Sequence, residues 1–120
     1  MILAATMIVT CEAFVLAEKL GLSHQALFDV VSKSSGQSWS ISSYCPVPGP
    51  VPASPANRGY APGFAASLML KDLGLAAEAA AQSGAATPMG AKALELYRTF
   101  VAQGGAAKDF SGIVEMRRGG

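Results

Sequence analysis

All but one of the seven prolines of this chain lie in a single stretch of 20 residues, YCPVPGPVPASPANRGYAPG, from Tyr44 to Gly63. Proline fixes φ and lacks a backbone N–H, so prolines at this density exclude the interiors of helices and sheets. The stretch could be a flexible linker between two domains. It carries enough apolar side chains to bury, however, and we expect an ordered loop wrapped over one domain. These side chains are Tyr44, Val47, Val51 and Tyr60.

Five segments outside the proline stretch show the periodicity and the end signals of α-helices. Ser23, Thr87 and Asp109 precede three of the starts, where a side-chain oxygen can accept a hydrogen bond from a free backbone N–H. The segments run from about Met1 to Leu20, from His24 to about Ser32, from about Phe64 to Gln82, from Pro88 to about Gln103, and from about Phe110 onward.

A further helical turn is expected around Trp39 and Ile41, and no segment predicts a strand, so the predicted class is all-α. The apolar positions of the third helix include Phe64, Leu68, Leu75 and Ala79. We therefore expect about five helices and a long proline-rich loop.

Composition restricts the function classes. Charged residues make up 14% of the chain, well below the usual quarter, and hydrophobic residues make up 51%. Such a chain is expected to cover part of its surface with another subunit or domain. The net charge of +1 gives no electrostatic footprint for nucleic acid.

The first 20 residues are apolar, but Glu12, Glu18 and Lys19 interrupt them. We expect a helix buried in a core or a dimer interface rather than a membrane span or a signal peptide. Cys11 and Cys45 show no metal-ligand spacing, and His24 is the one histidine. We therefore expect reduced thiols in an intracellular compartment and no metal site.

Lys71 and Asp72 stand side by side at the head of an alanine-rich helix. Neighbouring residues on a helix point about 100° apart, so the two charges cannot share a face and need separate explanations. By residue type alone, both are most simply charges on a helix surface.

The surrounding stretch, GFAASLMLKDLGLAAEAA at residues 63–80, carries a longer pattern, G-F-x-x-x-L-M-x-K-D-L-x-L-A. Further stretches belong with it: SSGQSWS at 34–40 with the following proline loop, AEKLGLS at 17–23, and KDFSGIVEMRR at 108–118. Together they span the chain, which resembles the C-terminal domain of the β-hydroxyacid dehydrogenases, and the 3-hydroxyisobutyrate dehydrogenases most closely.

The resemblance implies an all-α C-terminal domain of the 6-phosphogluconate dehydrogenase-like type, with residues 1–120 as a helical substrate and dimerisation domain. The implied reaction is hydride transfer from a small hydroxy acid to NAD or NADP, as in valine degradation. By position, Lys71 would contact the cofactor near the nicotinamide ribose. Phe64 would wall the substrate pocket, and Asp72 would orient that wall. The implied partners are the hydroxy acid and further copies of the chain, as a dimer or tetramer, in the bacterial cytoplasm or the mitochondrial matrix.

The family's catalytic lysine belongs to a G-x-x-x-K-x-x-N segment, which would lie just before Met1, and no other lysine here occupies that position. We therefore expect no catalytic residue in this chain. The cofactor would be held mainly by an N-terminal Rossmann domain absent from the chain, and the chain alone would not transfer hydride. The alternative is a stand-alone helical dimerisation or binding module without catalysis. A low content of charged residues and an apolar first helix are expected both of such a module and of a dehydrogenase domain.

Overall fold

The computed structural model describes residues 1–119, and these residues form helices, turns and one isolated β-bridge between Ala65 and Asp109, with no strand among them. The helices are α1 (Ile2–Lys19), α2 (His24–Val31), α3 (Trp39–Ser42), α4 (Ala66–Ser83), α5 (Pro88–Phe100) and α6 (Ile113–Gly119). Two 3-10 turns cover Pro55–Arg58 and Phe110–Gly112, and a π turn covers Val101–Gly105.

The prediction of about five helices is too low for residues 1–119, because the turn expected near Trp39 closes into α3. The amides of Ser42 and Ser43 donate to the carbonyls of Ser38 and Trp39, both at 3.0 Å. The fourth predicted helix also ends earlier than expected. After Phe100 the chain passes through the π turn to Gly104, whose φ of 98° only glycine adopts readily.

Helix α1 is the centre of the core and contacts α2, α3, α5 and α6. Met7, Cys11 and Phe14 on this helix are fully buried. The prediction that Cys11 is a small buried hydrophobe is confirmed, and burial raises the pKa of its thiol. Within residues 1–119, no helix has both the length and the apolar character needed to cross a membrane.

Helices α4 and α5 form an antiparallel hairpin. Gly84 ends α4 with a φ of 73°, and Pro88 begins α5, where its missing N–H has no helical partner to lose. The buried side chains of α4 are Ala66, Met69 and Leu73. Leu68 and Leu75, which were predicted among its apolar positions, are 48% and 56% exposed, so α4 keeps a second apolar stripe on its solvent side.

The proline stretch packs against the helices. Val47 and Tyr60 are buried, and the Tyr60 hydroxyl donates to the Pro46 carbonyl at 2.7 Å. The side-chain amide of Asn57 ties the loop to itself, because it accepts from the Gly49 amide at 3.0 Å and donates to the Val51 carbonyl at 2.9 Å. These contacts give the loop its own hydrogen bonds and a buried side.

An ion pair joins the C-terminal end of α1 to the C-terminal end of α6. Arg118 on α6 donates to the Glu18 carboxylate on α1 through Nη2 at 2.8 Å and Nε at 3.2 Å. His24 lies on the same carboxylate, with Nε2 2.8 Å from Oε1. The hydrogen bond from Arg118 is the main reason that the pKa of Glu18 is lowered, and His24 adds to it.

Two glycines should respond in opposite ways to substitution by alanine. A Cβ on Gly105 would lie 2.6 Å from Cζ of the buried Phe100 ring, so Gly105→Ala should destabilise the fold by about 1–3 kcal/mol. A Cβ on Gly74, inside α4, would meet nothing within 4 Å, so Gly74→Ala should add about 0.5–1 kcal/mol through helix propensity. Urea unfolding measures both, and effects of the same sign would contradict the packing described here.

The pair between Glu18 and Arg118 predicts a pH-dependent contribution to stability. The folded pKa of Glu18 lies below its unfolded value, so the stabilisation is present above about pH 4.5 and is lost as pH falls through the folded pKa. Arg118→Gln should cost about 0.5 kcal/mol near neutral pH, because a partly exposed pair contributes little, and progressively less as the pH falls through the folded pKa of Glu18. Arg117→Gln removes the same charge from the neighbouring position and is the control. A pH-independent effect of Arg118→Gln would contradict the prediction.

Candidate functional site

A fully buried carboxylate, that of Asp109, joins the end of the proline stretch to the region before α6. Its Oδ1 accepts hydrogen bonds from the Tyr44 hydroxyl at 2.6 Å and from the amides of Gly63 and Phe64, both at 3.0 Å. Its Oδ2 accepts from the amide of Ser111 at 2.9 Å and from the hydroxyl of the same residue at 2.5 Å. Five donors thus replace the water that burial removes from this side chain.

Backbone hydrogen bonds connect the same two segments. The Phe110 amide donates to the Phe64 carbonyl, and the Ala66 amide donates to the Lys108 carbonyl, both at 2.8 Å. Helix α4 has no side-chain cap, so the carbonyl of Lys108 satisfies one of the free N–H groups of its first turn. The start of α4 is therefore fixed by the segment that carries Asp109.

Gly63 has a steric reason to be glycine. A Cβ at this position would lie 2.6 Å from the Tyr44 hydroxyl oxygen and 3.8 Å from Oδ1 of Asp109. The hydrogen bond between Tyr44 and Asp109 runs close past the backbone at this point. Any larger residue would push the phenol away from the carboxylate.

Four aromatic rings form a continuous cluster around this carboxylate. Trp39 stacks on Tyr44 with centroids 4.8 Å apart, and Tyr44 stacks on Phe110 at 5.3 Å. Phe64 meets Phe110 edge-on at 5.7 Å. Phe110 is buried, whereas Trp39 is 52% exposed, so the cluster runs from the core to the surface. We call these four rings the aromatic cluster.

The Tyr44 hydroxyl is held as a donor. Burial raises the pKa of Tyr44, and the hydrogen bond to the Asp109 carboxylate and its negative charge raise it further. The phenol therefore keeps its proton throughout the physiological range. Tyr44 therefore cannot act as a base at physiological pH, and its role is to hold the Asp109 carboxylate and the stacked rings in place.

The structure places Phe64, the predicted wall residue, in the aromatic cluster. Its ring is half-buried, and its amide is bound by Asp109. Asp72 was expected to orient this wall, but it is exposed on α4 and makes no side-chain hydrogen bond within residues 1–119. In this structure the carboxylate that holds the Phe64 backbone is that of Asp109.

Lys71 and Asp72 lie on the solvent side of α4, about two helical turns after Phe64. Leu68 and Leu75 are seven residues apart and share one line along this helix, and Lys71 lies to one side of the line and Asp72 to the other. The salt bridges formed among residues 1–119 include neither charge. The two adjacent charges therefore flank an exposed apolar stripe.

Sequence reasoning missed Tyr44 and Asp109 as site residues. Asp109 was predicted as a helix cap, and it does cap the turn before α6 by accepting from the Ser111 amide. Its partners Gly63 and Phe64 precede it by 46 and 45 residues, however, and no local pattern reveals such a pairing. Among residues 1–119, no group of three or more His, Cys, Asp or Glu side chains is placed to hold a metal ion.

Comparisons with known proteins agree on one family. The family model described as "NAD-binding of NADP-dependent 3-hydroxyisobutyrate dehydrogenase" matches residues 1–117. A probable 3-hydroxyisobutyrate dehydrogenase of Mycobacterium tuberculosis is 52% identical over 98% of this chain and 40% of the relative. The NAD-dependent L-serine dehydrogenase of Pseudomonas aeruginosa is 46% identical over 96% of this chain and 39% of the relative.

A solved structure of the Mycobacterium tuberculosis 3-hydroxyisobutyrate dehydrogenase with L-serine superposes with a TM-score of 0.95 at 51% identity. The superposition covers 98% of this chain and 40% of that one, so the chain spans about two fifths of the length of these relatives. The class that these matches define is the nicotinamide-dependent dehydrogenases. Within it, the chain belongs to the family described as the NAD-binding domain of 3-hydroxyisobutyrate dehydrogenase.

This description corrects two predictions. The assignment to a C-terminal domain of the 6-phosphogluconate dehydrogenase-like type is wrong, because the family model matching residues 1–117 describes an NAD-binding domain. The prediction that an absent N-terminal domain binds most of the NAD or NADP is wrong for the same reason. Both predictions followed from the resemblance to an all-helical domain, which implied that a separate Rossmann domain binds the dinucleotide. Helices can also offer a dinucleotide exposed cations and apolar surface.

The bond between Tyr44 and Asp109 predicts a measurable effect of Tyr44→Phe. A hydrogen bond to a charged group contributes about 1.5–3 kcal/mol, so this loss should exceed that of Tyr97→Phe, whose hydroxyl donates to the neutral Phe110 carbonyl at 3.0 Å. The emission of Trp39, the one tryptophan, should change in Tyr44→Phe and stay constant in Tyr97→Phe. Equal losses of stability with unchanged emission would contradict the role given to Tyr44.

Proposed function

We propose that this chain contributes to the cofactor and substrate site of an NAD(P)-dependent dehydrogenase of the 3-hydroxyisobutyrate dehydrogenase type. The observation that carries the proposal is the solvent side of α4, where Lys71 borders the exposed Leu68–Leu75 stripe without an ion-pair partner in residues 1–119. An unpaired cation beside apolar surface suits a ligand that joins a planar ring to an anionic backbone. The family's NAD-binding description supports the same assignment.

Each of the three predicted site residues has a defined part in this proposal. Lys71 offers a point charge to the anionic cofactor near its nicotinamide ribose. Phe64 forms an apolar wall for the hydroxy acid, and excluding water there strengthens the electrostatic interactions of the reacting alcohol. Asp72 lies on the other side of the apolar stripe from Lys71, and we propose that it borders the substrate pocket and helps to orient its wall. When bound, NAD(P)⁺ supplies the hydride acceptor.

This surface suits an anionic dinucleotide because the positive charge of Lys71 is not neutralised by a neighbouring acid. The nearest acid in sequence, Asp72, points about 100° away from Lys71, so it does not neutralise the lysine across the helix face. The start of α4 is held rigidly by Lys108 and Asp109, and that rigidity would fix the position of Phe64 relative to Lys71. Preorganised positions of this kind lower the cost of ordering a bound ligand.

Proton removal from the alcohol requires residues beyond these 120, in our proposal. The G-x-x-x-K-x-x-N segment expected to carry the catalytic lysine is not found in the sequence, and the chain spans 40% of the Mycobacterium relative. The chain alone is therefore proposed to be inactive. The substrate class is small β-hydroxy acids. The serine named for two of the matched proteins is chemically such an acid, and valine breakdown is the pathway we propose.

We also propose that the chain self-associates as a dimer or tetramer. The observation that favours it is the exposed apolar surface of α1, which combines with a charged content of 14%. A stand-alone helical dimerisation module would share this property and remains the second candidate function.

The proposed compartment is the bacterial cytoplasm or the mitochondrial matrix, because the relatives include bacterial proteins and proteins named as mitochondrial.

A chimera separates the proposed roles of Lys71 and Phe64. This chain would replace the corresponding 118 residues of the Mycobacterium tuberculosis relative, and the chimera should oxidise 3-hydroxyisobutyrate with a nicotinamide cofactor. Lys71→Ala should raise the KM for the cofactor about fivefold, since one exposed charge contributes about 1 kcal/mol, and leave the KM for the acid unchanged. Phe64→Ala should raise the KM for the acid and leave that for the cofactor unchanged.

Lys33→Ala removes a lysine from the region after α2, on another part of the chain, and is the charge-matched control, with no expected effect on either KM. An unchanged KM for the cofactor in Lys71→Ala would favour the dimerisation module. Oxidation of 3-hydroxyisobutyrate by the pure 120-residue chain would contradict the proposed requirement for further residues.

A further inference from the structure

The first turn of α4 is held by backbone hydrogen bonds that do not involve any side chain. The amide of Ala66 donates to the Lys108 carbonyl at 2.8 Å, and the amide of Ser67 donates to the Ala106 carbonyl at 3.1 Å. Since both acceptors are backbone carbonyls, a different side chain at position 109 would leave both bonds in place. The start of α4 is therefore fixed by the backbone of the segment before α6.

Phe64, which precedes this first turn, is held in a different way. Its carbonyl accepts from the Phe110 amide at 2.8 Å, which is again a backbone bond. Its own amide, and that of Gly63, donate to Oδ1 of Asp109, both at 3.0 Å. Residues 61–63 are exposed, so packing does little to hold the chain that leads into Phe64. The amide side of Phe64 therefore depends on one carboxylate oxygen.

The packing of the Phe64 ring does not replace this hydrogen bond. The ring is half-buried, and its aromatic neighbour Phe110 meets it edge-on with centroids 5.7 Å apart. An edge-on contact with one ring leaves the other side of Phe64 free to tilt. The direction in which the ring points thus follows from the peptide group between Gly63 and Phe64, which the Asp109 oxygen holds.

The two oxygens of the Asp109 carboxylate serve different segments. Oδ1 accepts from Tyr44, Gly63 and Phe64, on the side of the aromatic cluster. Oδ2 accepts only from the amide and the hydroxyl of Ser111, on the side of α6. Changes at the two oxygens should therefore have separate consequences, although both oxygens contribute to the stability of the fold.

We propose that Asp109 is a positioning residue for the hydroxy acid, because its Oδ1 holds Phe64 in place as the wall of the substrate pocket. The inference rests on the proposed roles of Phe64 and Lys71, and it adds a residue that acts on only one of them. Lys71 lies on α4, which the backbone fixes without the carboxylate. Asp109 should therefore govern the KM for the acid and not the KM for the cofactor.

Two substitutions of Asp109 separate the position of this oxygen from its charge. Asp109→Glu keeps the charge but places the carboxylate one carbon–carbon bond further from the backbone. A wall that is displaced by about 1 Å binds the acid poorly, so this variant should raise the KM for the acid about tenfold and leave the KM for the cofactor unchanged. Both constants are measured in the chimera with the Mycobacterium tuberculosis relative.

Asp109→Asn removes the charge but keeps an acceptor oxygen at the original distance, and it is the rescue variant. Three donors face Oδ1, whereas one of the two donors at Oδ2, the Ser111 hydroxyl, can turn to accept from the new amide nitrogen. The amide oxygen should therefore face Phe64. The KM for the acid should stay close to that of the unsubstituted chimera, although the fold loses stability.

Ser111→Ala is the matched control, because it removes a donor from Oδ2 and leaves Oδ1 untouched. It should lower stability without changing either KM. A smaller folded fraction lowers the apparent kcat and leaves KM unchanged, so KM separates positioning from a merely structural role. In a chimera that already carries Phe64→Ala, Asp109→Glu should raise the KM for the acid no further, because the residue through which Asp109 acts is absent.

Gly63→Ala tests the same contact from the other side if Asp109→Glu does not fold. Its Cβ would lie 3.8 Å from Oδ1 and 2.6 Å from the Tyr44 hydroxyl oxygen, so it should also raise the KM for the acid alone. If Phe64→Ala raises this KM and neither Asp109→Glu nor Gly63→Ala does, the inference is overturned and the proposed function stands. A rise in both KM values, or a full effect of Asp109→Glu in the Phe64→Ala chimera, would also overturn it. If Phe64→Ala itself has no effect, the proposed substrate wall fails, and the role of Asp109 fails with it.

Discussion

The buried carboxylate of Asp109 fixes three segments that are distant in sequence. One of its oxygens binds the Tyr44 hydroxyl and the amides of Gly63 and Phe64, and the other binds Ser111 just before α6. A buried charge that loses a donor is costly, so none of these segments can move without the others. The entry to α4, the aromatic cluster and the entry to α6 therefore form one rigid unit.

Local chemistry was enough to predict much of the helical framework. Ser23 was expected to cap α2, and its hydroxyl accepts from the Ala26 amide at 3.1 Å. Gly84 was expected to end α4 and adopts a φ of 73° there. Such signals act over three or four residues, so one sequence reveals them. The α3 helix was underestimated because a single turn gives too few residues for a periodic pattern.

Contacts between residues that are distant in sequence could not be predicted in the same way. Asp109 was recognised as a cap because that bond spans two residues, but its bond to Tyr44 spans 65. The core side of α4 was also obscured, since Leu68 and Leu75 are as apolar as the buried Met69 and Leu73. Because apolar residues occur on both sides of this alanine-rich helix, the sequence pattern does not predict which side packs against the core. Tertiary contact with α5 and the segment before α6 decides it.

The two exposed apolar surfaces belong to two different helices, α1 and α4. Helix α5 packs against both α1 and α4, whose exposed large apolar side chains include Ile2, Val9 and Leu16 on α1 and Leu68 and Leu75 on α4. The self-association that we propose would involve α1, whereas Lys71 and Asp72 lie on the solvent side of α4. Exposed apolar side chains on both helices accompany the low charged content of 14%. The adjacent opposite charges Lys71 and Asp72 border only the α4 surface, and because neither forms a salt bridge among residues 1–119, both stay available to a ligand in the function we propose.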